Sequence, residues 1–466
     1  MKLLRSSPHS RPFCLPLACL LALSACAPGT AGADAAAEPA PIEVPPPVEQ
    51  TNEGLTVFYT DFKTPESNIL DVAVAQYKEQ YPDQQLNVEK VFTEGLVETH
   101  TAAYNQMLTE IMAGSGPDLI FFANYSTGST TDWEKLVRRG AFADMEPYFE
   151  ADNFDWSGYN QAVMDGGVYD GQRLIIPLEY KIPLLYTSQT ALDETGFSVE
   201  NCDTFDGFLD EVEKIMANPE QTRDVFRTKL SIYDFAQYAD IPYIDYDRQK
   251  ADLSFPELER GAEIYKALPR IMDSDDLPGA ADIRDGNALW ILPNDPVRGF
   301  LWGAGLINTY DDVVMMPIRD MEGGIQAEIT FAVAVNSSSP NLQNAYEFIK
   351  LLLSEEFQKD TVQYRWAKLS VLDAAVAENY QYNTWHAEDG KVELEQDSSN
   401  LGFTYIDPSP EDFEEMMSYT KQVTGTFFRS SETQFIQLLG GYITDETSYR
   451  DAIDAAESQL NIYLSE

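Results

Sequence analysis

Few side chains in this 466-residue chain have the types and spacing that catalysis needs. Histidine, the usual proton shuttle near neutral pH, occurs only three times. There is no Gly-x-Ser-x-Gly nucleophile elbow, no His-Glu-x-x-His and no phosphate-binding P-loop. The segment "DYDRQKADLSFPE" (245–257) opens like a calcium loop with Asp245 and Asp247. Lys250, however, stands where the tight turn needs glycine, and Pro256 where a closing glutamate belongs. Neither a metal nor a cofactor is therefore expected. With 77 acids present, any chosen pair of carboxylates is uninformative as acid–base machinery. What remains is recognition chemistry, because 25 Tyr, 24 Phe and 6 Trp supply flat apolar faces beside many polar edges.

The elements that must position such residues follow a distinctive N-terminus. Lys2, Arg5 and Arg11 precede the short apolar run "FCLPLACLLALSA", which is a secretory signal rather than a membrane span. Leu23-Ser24-Ala25-Cys26 looks like a bacterial lipobox that leaves Cys26 as the lipid-bearing first residue; ordinary cleavage near Ala25 is the alternative. Removing residues 1–25 takes away three positive charges and no acids, which moves the formal net charge from −46 to −49. Such a surface repels nucleic acid and anionic membranes, so the only membrane contact expected is the lipid anchor. Cys202 is then the only other thiol, and a buried packing role is expected for it. Residues 26–53, rich in Ala, Pro and acids, read as a disordered tether.

Beyond the tether, strands and helices alternate. "LTVFYT" (55–60) reads as a strand, Thr64-Pro65 as a helix start, and Ile69, Val72, Ala73 and Tyr77 as one helix face. "LNVEKVF" is the next strand; Met107, Leu108 and Ile111 then mark a helix that stops at Gly114, before strand "DLIFF". This order implies a parallel sheet, and the apolar run 119–122 implies a strand covered on both faces. Ligands of such sheets gather outside the carboxyl ends of the strands, which makes Asn124 and Tyr125, and residues 60–63, candidate cleft positions. Asp203 or Thr204 caps a helix that buries Phe205, Phe208, Leu209 and Val212. "NALWIL", "VVMMPI" and "ITFAVAV" read as strands, Ser339-Pro340 starts a helix with Leu342, Ala345, Ile349 and Leu352 inward, and an amphipathic helix ends the chain.

Four segments in this order resemble the extracellular solute-binding lipoproteins of ABC importers, the maltose-binding-protein-like class: "GSGPDLIFF", "GVYDGQRLIIPLEYKIPLLYT", "AVAVNSSSPNLQNAYEFIKLLLSEEFQ" and "AAESQLNIYLSE". The likeness runs from about residue 54 to 466, with one departure: Thr187 stands where the family commonly has Asn. It implies an α/β, two-lobed periplasmic-binding-protein-like fold with a hinge and an interlobe ligand cleft, each lobe a mostly parallel sheet flanked by helices. Lobe one would take 54–176 plus 316–362, and lobe two 177–315 plus 363–466. The implied function is a monomeric, extracytoplasmic, lipid-anchored protein that captures a small polar solute and delivers it to ABC permease subunits. Carbohydrate is the expected solute. Polyamines, a surface glycosidase, and a sensor or adhesin are the alternatives.

Carried position by position onto this chain, the family's cleft segments point to Phe122 and Tyr125, to Glu179, Tyr180 and Lys181, to Asn294 and Asp295, and to Trp366. Tyr59, Asp61 and Trp302 join them as candidate ligand contacts. Each has a plainer alternative: core packing for Phe122, Trp302 and Trp366, loop packing for Tyr125, and a surface ion pair for Lys181. Trp290, inside a strand, is expected in the core.

Overall fold

The computed structural model of the chain describes residues 48–465 except 62–68, 93–96, 124–132, 227–231, 269–279, 294–299, 362–367, 384–390, 394–403 and 430–436. Its first elements alternate as the apolar pattern requires: β1 (Gly54–Asp61), α1 (Ile69–Gln80), β2 (Gln85–Phe92), α2 (Val97–Met112) and β3 (Leu119–Ala123). β1 pairs in parallel with β2 and with β3. Leu119, Ile120 and Phe121 are buried to 1% exposure or less, as a strand covered on both faces demands. α2 ends where Gly114 turns left-handed (φ +76°), a conformation that costs glycine nothing. Thr64 and Pro65, expected to start α1, lie outside the described residues.

Next come α3 (Trp133–Arg138) and the strands β4 (Ile176–Lys181) and β5 (Leu184–Ser188). α4 (Phe205–Met216) is capped by Thr204, whose hydroxyl accepts from the Gly207 amide at 3.3 Å, and it buries the four apolar residues its period marks. β6 (Asp224–Phe226), α5 (Ile232–Tyr238), α6 (Pro256–Ala267), β7 (Ala288–Trp290) and β8 (Val313–Pro317) complete this stretch. β6 and β7 pair in parallel, β5 and β8 antiparallel, and the Tyr186–Ile291 bridge joins the two pairs. Trp290 is fully buried in that sheet, against Phe197. Cys202 is buried too, and burial pushes its thiol up to about 12, beyond the range of a reactive thiolate.

The larger sheet has seven strands and is organised by β9 (Ile325–Val335), whose eleven residues are all buried. β4 runs antiparallel along one edge of β9. The other edge is shared: β3 pairs antiparallel with residues 331–335, and β11 (Val423–Phe428) pairs in parallel with residues 325–329. β10 (Leu369–Ser370) borders β4, so the order is β10–β4–β9–β3–β1–β2, with β11 beside β9.

α7 (Leu342–Leu353) differs from its expected start at Ser339-Pro340. No side chain at its own N-cap, Asn341, bonds its first amides. Instead Gln50 Oε1 accepts from the Leu342 amide (2.9 Å) and Asn52 Oδ1 from the Gln343 amide (3.1 Å). The first-turn amides, orphaned in any helix, are thus satisfied from almost 300 residues away. The same contacts hold residues 50–53, expected in the tether, against the folded body. α8 (Pro410–Thr420) begins with a reciprocal Ser409–Asp412 capping box, and α9 (Tyr449–Ser465) ends the chain. Among the described residues, no helix is long and apolar enough to cross a membrane.

Candidate functional site

Pairing partners in the large sheet place two strand ends nose to nose. β3 finishes opposite Phe331 and β11 opposite Ile329, and the two run toward each other. Their carboxyl ends therefore converge on Thr330, the place where a ligand of an α/β sheet is sought. Thr330 is 3% exposed and its hydroxyl has no hydrogen-bond partner among the described residues.

Beside it lies a cluster of charges. Arg429, one residue past β11, donates through Nη2 to Asp234 Oδ1 of α5 (2.6 Å) and to Glu328 Oε2 (3.3 Å), and its guanidinium sits 5.0 Å from the centre of the Tyr233 ring. Lys181 Nζ reaches the same Glu328 oxygen at 2.9 Å. Burial alone would raise the Glu328 carboxyl, but the charges and hydrogen bonds of Lys181 and Arg429 reverse this and hold it at about 2. The cluster thus pairs two cations with two carboxylates.

Above β11 opens a cavity of about 350 Å³, within the range of small-molecule sites. It is lined by Trp133 and Glu134 of α3, by Asp165 and Tyr169, by Gln237, Tyr243 and Tyr246, and by Thr426, Phe427 and Phe428 of β11. Six rings thus offer flat apolar faces, while two carboxylates and an amide offer polar edges. The 15 described lining residues include no Lys or Arg. A larger hollow of about 840 Å³ lies against the start of α9, but eight charged side chains line it and it adjoins no carboxyl end of the large sheet. The ring-lined groove is the better site on both counts.

Residues 63–359 match the model of a family described as bacterial extracellular solute-binding protein. The chain belongs to that family. A comparison with curated proteins finds no match. Among solved structures, the solute-binding protein is similar to the sugar-binding protein MalE of Xanthomonas citri (13% identity, 88% of this chain and 97% of that one, TM-score 0.56). It is similar also to an ABC substrate-binding protein of Listeria monocytogenes in complex with cycloalternan (14%, 88% and 99%, TM-score 0.53). A third is the cyclic α-maltosyl-1,6-maltose binding protein of Arthrobacter globiformis (15%, 88% and 98%, TM-score 0.53). At such identities the likeness establishes the fold, which is the two-lobed architecture the four sequence segments implied.

In this solute-binding protein the residues expected at the cleft are placed unevenly. Tyr59 is 2% exposed, edge-on to Phe121 and Phe331, and belongs to the core. Tyr180 is fully buried and its hydroxyl accepts from Asn160 Nδ2 (3.3 Å), while Glu179 is 1% exposed. None of the three offers a surface to a ligand in this conformation. Lys181 does find a charged partner, and it is a buried acid rather than a surface one. Asp61 ends β1, Phe122 lies one residue before the end of β3, and Trp302 lies in a π-helical turn at Phe300–Ala304; their side chains lie outside the described residues, as do Tyr125, Asn294, Asp295, Trp366 and Cys26 altogether.

Sequence reasoning missed most of the groove. "TFFR" (426–429) carried the strongest overlooked signal, because two rings and a cation close a β-branched strand. Trp133, Tyr169, Tyr243 and Tyr246 carried none, since they come from a short helix and connecting segments with no period of their own. Of the former calcium-loop candidates, Asp245 accepts from the Arg248 amide and Asp247 pairs with Arg138. No metal-holding cluster occurs among the described residues.

Proposed function

We propose that this solute-binding protein captures a neutral saccharide in the ring-lined groove and delivers it, unaltered, to an ABC permease. The observation that carries the reading is the groove itself: rings suit the C–H faces of a sugar, Glu134, Asp165 and Gln237 suit its hydroxyls, and no Lys or Arg is among the described lining residues. Three similar structures named for sugar or cyclic oligosaccharide ligands support carbohydrate as the solute class. In the same proposal Cys26 carries the lipid that tethers the chain outside the cytoplasm, and the lobes divide as 54–176 plus 316–362 and 177–315 plus 363–466. Asp61, Phe122, Tyr125, Asn294, Asp295, Trp302 and Trp366 remain proposed contacts of the bound solute.

A thermal-shift panel of neutral oligosaccharides, uronates, polyamines and amino acids on residues 48–466 tests this. A specific saccharide at about 100 times its Kd stabilises the fold by about 2.7 kcal/mol. A shift with polyamines alone replaces the solute class, and recovery of a cleaved sugar replaces binding with catalysis. Tyr169→Ala is expected to weaken saccharide binding about tenfold, the worth of one ring face, with little change in Tm because Tyr169 is only partly buried. Calorimetry showing unchanged affinity would move the solute out of this groove.

A further inference from the structure

The short helix α3 lines the groove and also reaches the hairpin that carries the groove ring Tyr246. Trp133 and Glu134 line the cavity. On the same helix, Arg138 holds Glu134 through Nε (2.9 Å) and Nη2 (2.8 Å). Its Nη1 pairs with Asp247, between the two strands of the Ile244–Ala251 hairpin, and its guanidinium lies 5.6 Å from the centre of the groove ring Tyr246. Lys135 sits 3.5 Å from the centre of the Tyr463 ring and donates to the Tyr463 carbonyl, in the last turn of α9, where a helix attracts cations.

The two ends of these contacts have different immediate anchors. α3 is followed by Phe142 and Ala143, which bond to the end of β9 in the large sheet. The hairpin is instead held to α9, through the Ala251 amide on Asn461 Oδ1 (2.8 Å). Arg138 therefore joins the lining residue Glu134 to the hairpin turn beside the lining ring Tyr246, and Lys135 joins the same helix to α9, which holds that hairpin.

We propose that Lys135 and Arg138 form a charged clasp that holds α3 to the hairpin and α9 over a bound solute, so that retention of even an uncharged sugar depends on ionic strength. This rests on the groove being the solute site. Both members of the Arg138–Asp247 pair keep solvent contact, at 31% and 43% side-chain exposure, so salt reaches them. The screening length falls from about 10 Å at ~0.1 M salt to about 3 Å at ~1 M. A neutral sugar brings no charge to be screened, and any salt effect on its release comes from the protein's own charges.

Two readouts on the full mature chain decide it. Release of a neutral maltooligosaccharide, followed by stopped flow, is expected to quicken about tenfold between ~0.1 and ~1 M salt. K135A/R138A should release fast at both salts, and the charge swap R138E with D247R should restore slow, salt-dependent release. In the ligand-free protein, spin labels at Arg139→Cys and Lys250→Cys should move apart in high salt and in K135A/R138A. A label distance unchanged by salt and by the variant, or sugar release indifferent to both, overturns the clasp. If no oligosaccharide binds, the saccharide reading fails, and the label distance alone still decides whether the clasp exists.

Discussion

Glu328→Ala is expected to lower the stability of the fold by about 3–5 kcal/mol, read as a large drop in Tm or in the denaturant midpoint. The figure is that for stripping one partner from a buried ion pair, where the cost lies mainly in the charges left behind. Glu328 is 1% exposed and sits between Lys181 and Arg429, so its loss leaves two cations facing each other at the centre of the large sheet. Glu328→Gln keeps the shape but not the charge and should recover only part of the loss. The same residue predicts acid sensitivity. Its carboxyl is held at about 2, against 4.5 for an ordinary one. A depressed folded-state pKa means that the stabilisation is complete above about pH 4.5 and lost as the pH falls toward 2. At 1.36 kcal/mol per unit this amounts to about 3 kcal/mol. The Gln variant should lack that portion of the acid dependence. Wild-type-like stability in Glu328→Ala, or an unchanged acid slope in Glu328→Gln, would mean that the cluster contributes nothing.

Asp118→Ala should be comparably damaging, for a different reason. The Asp118 carboxylate is 4% exposed and meets only neutral donors: Thr56 amide (2.6 Å), Thr56 hydroxyl (2.7 Å), Ser339 hydroxyl (2.5 Å) and Asn341 Nδ2 (3.2 Å). It ties β1 to the turn that leads from β9 into α7, and alanine would orphan four donors at once. A cost of about 3 kcal/mol or more follows from the desolvation penalty of unpaired buried groups. Asp118→Asn should fall between the two, because its amide nitrogen turns one acceptor into a donor facing donors. Asp118 precedes the amino end of β3, whereas the groove lies beyond the carboxyl end. The variant should therefore lose thermal stability while keeping its solute affinity, the reverse of Tyr169→Ala. Loss of affinity in material that remains folded would mean that the two ends of β3 are coupled.

These two residues also show how unevenly the chain could be read. Asp118 falls within "GSGPDLIFF", the stretch whose apolar run and preceding glycine marked a buried strand after a helix, and β3 formed there. The rule that ligands gather at strand carboxyl ends points to the end of β3, beyond which Tyr125 lies outside the described residues. At Tyr59 and Tyr180 it points to rings that the structure buries, because it says which end of a strand matters and not which face each residue presents. Tyr59 turns toward Phe121 and Phe331, and Tyr180 toward Asn160, so both rings pack inward. Lys181, next in the chain after Tyr180, projects from the opposite face of its strand, as alternation requires, and meets Glu328.

By itself the sequence determined whatever depends on neighbours within a few turns. The alternation of strand and helix, the burial of Trp290 and Cys202, the acidic surface and the lack of catalytic motifs were all legible, because local period and composition encode them. Only the tertiary structure decided which distant residues meet. It opposed β3 to β11 across Thr330, gave Lys181 the partner Glu328, capped α7 with Gln50 and Asn52, and brought Trp133, Tyr169, Tyr243 and Tyr246 around one cavity. The physical reason is register: where strands lie side by side, a slip of one residue turns every side chain to the other face, and that alignment is chosen by the packed core as a whole.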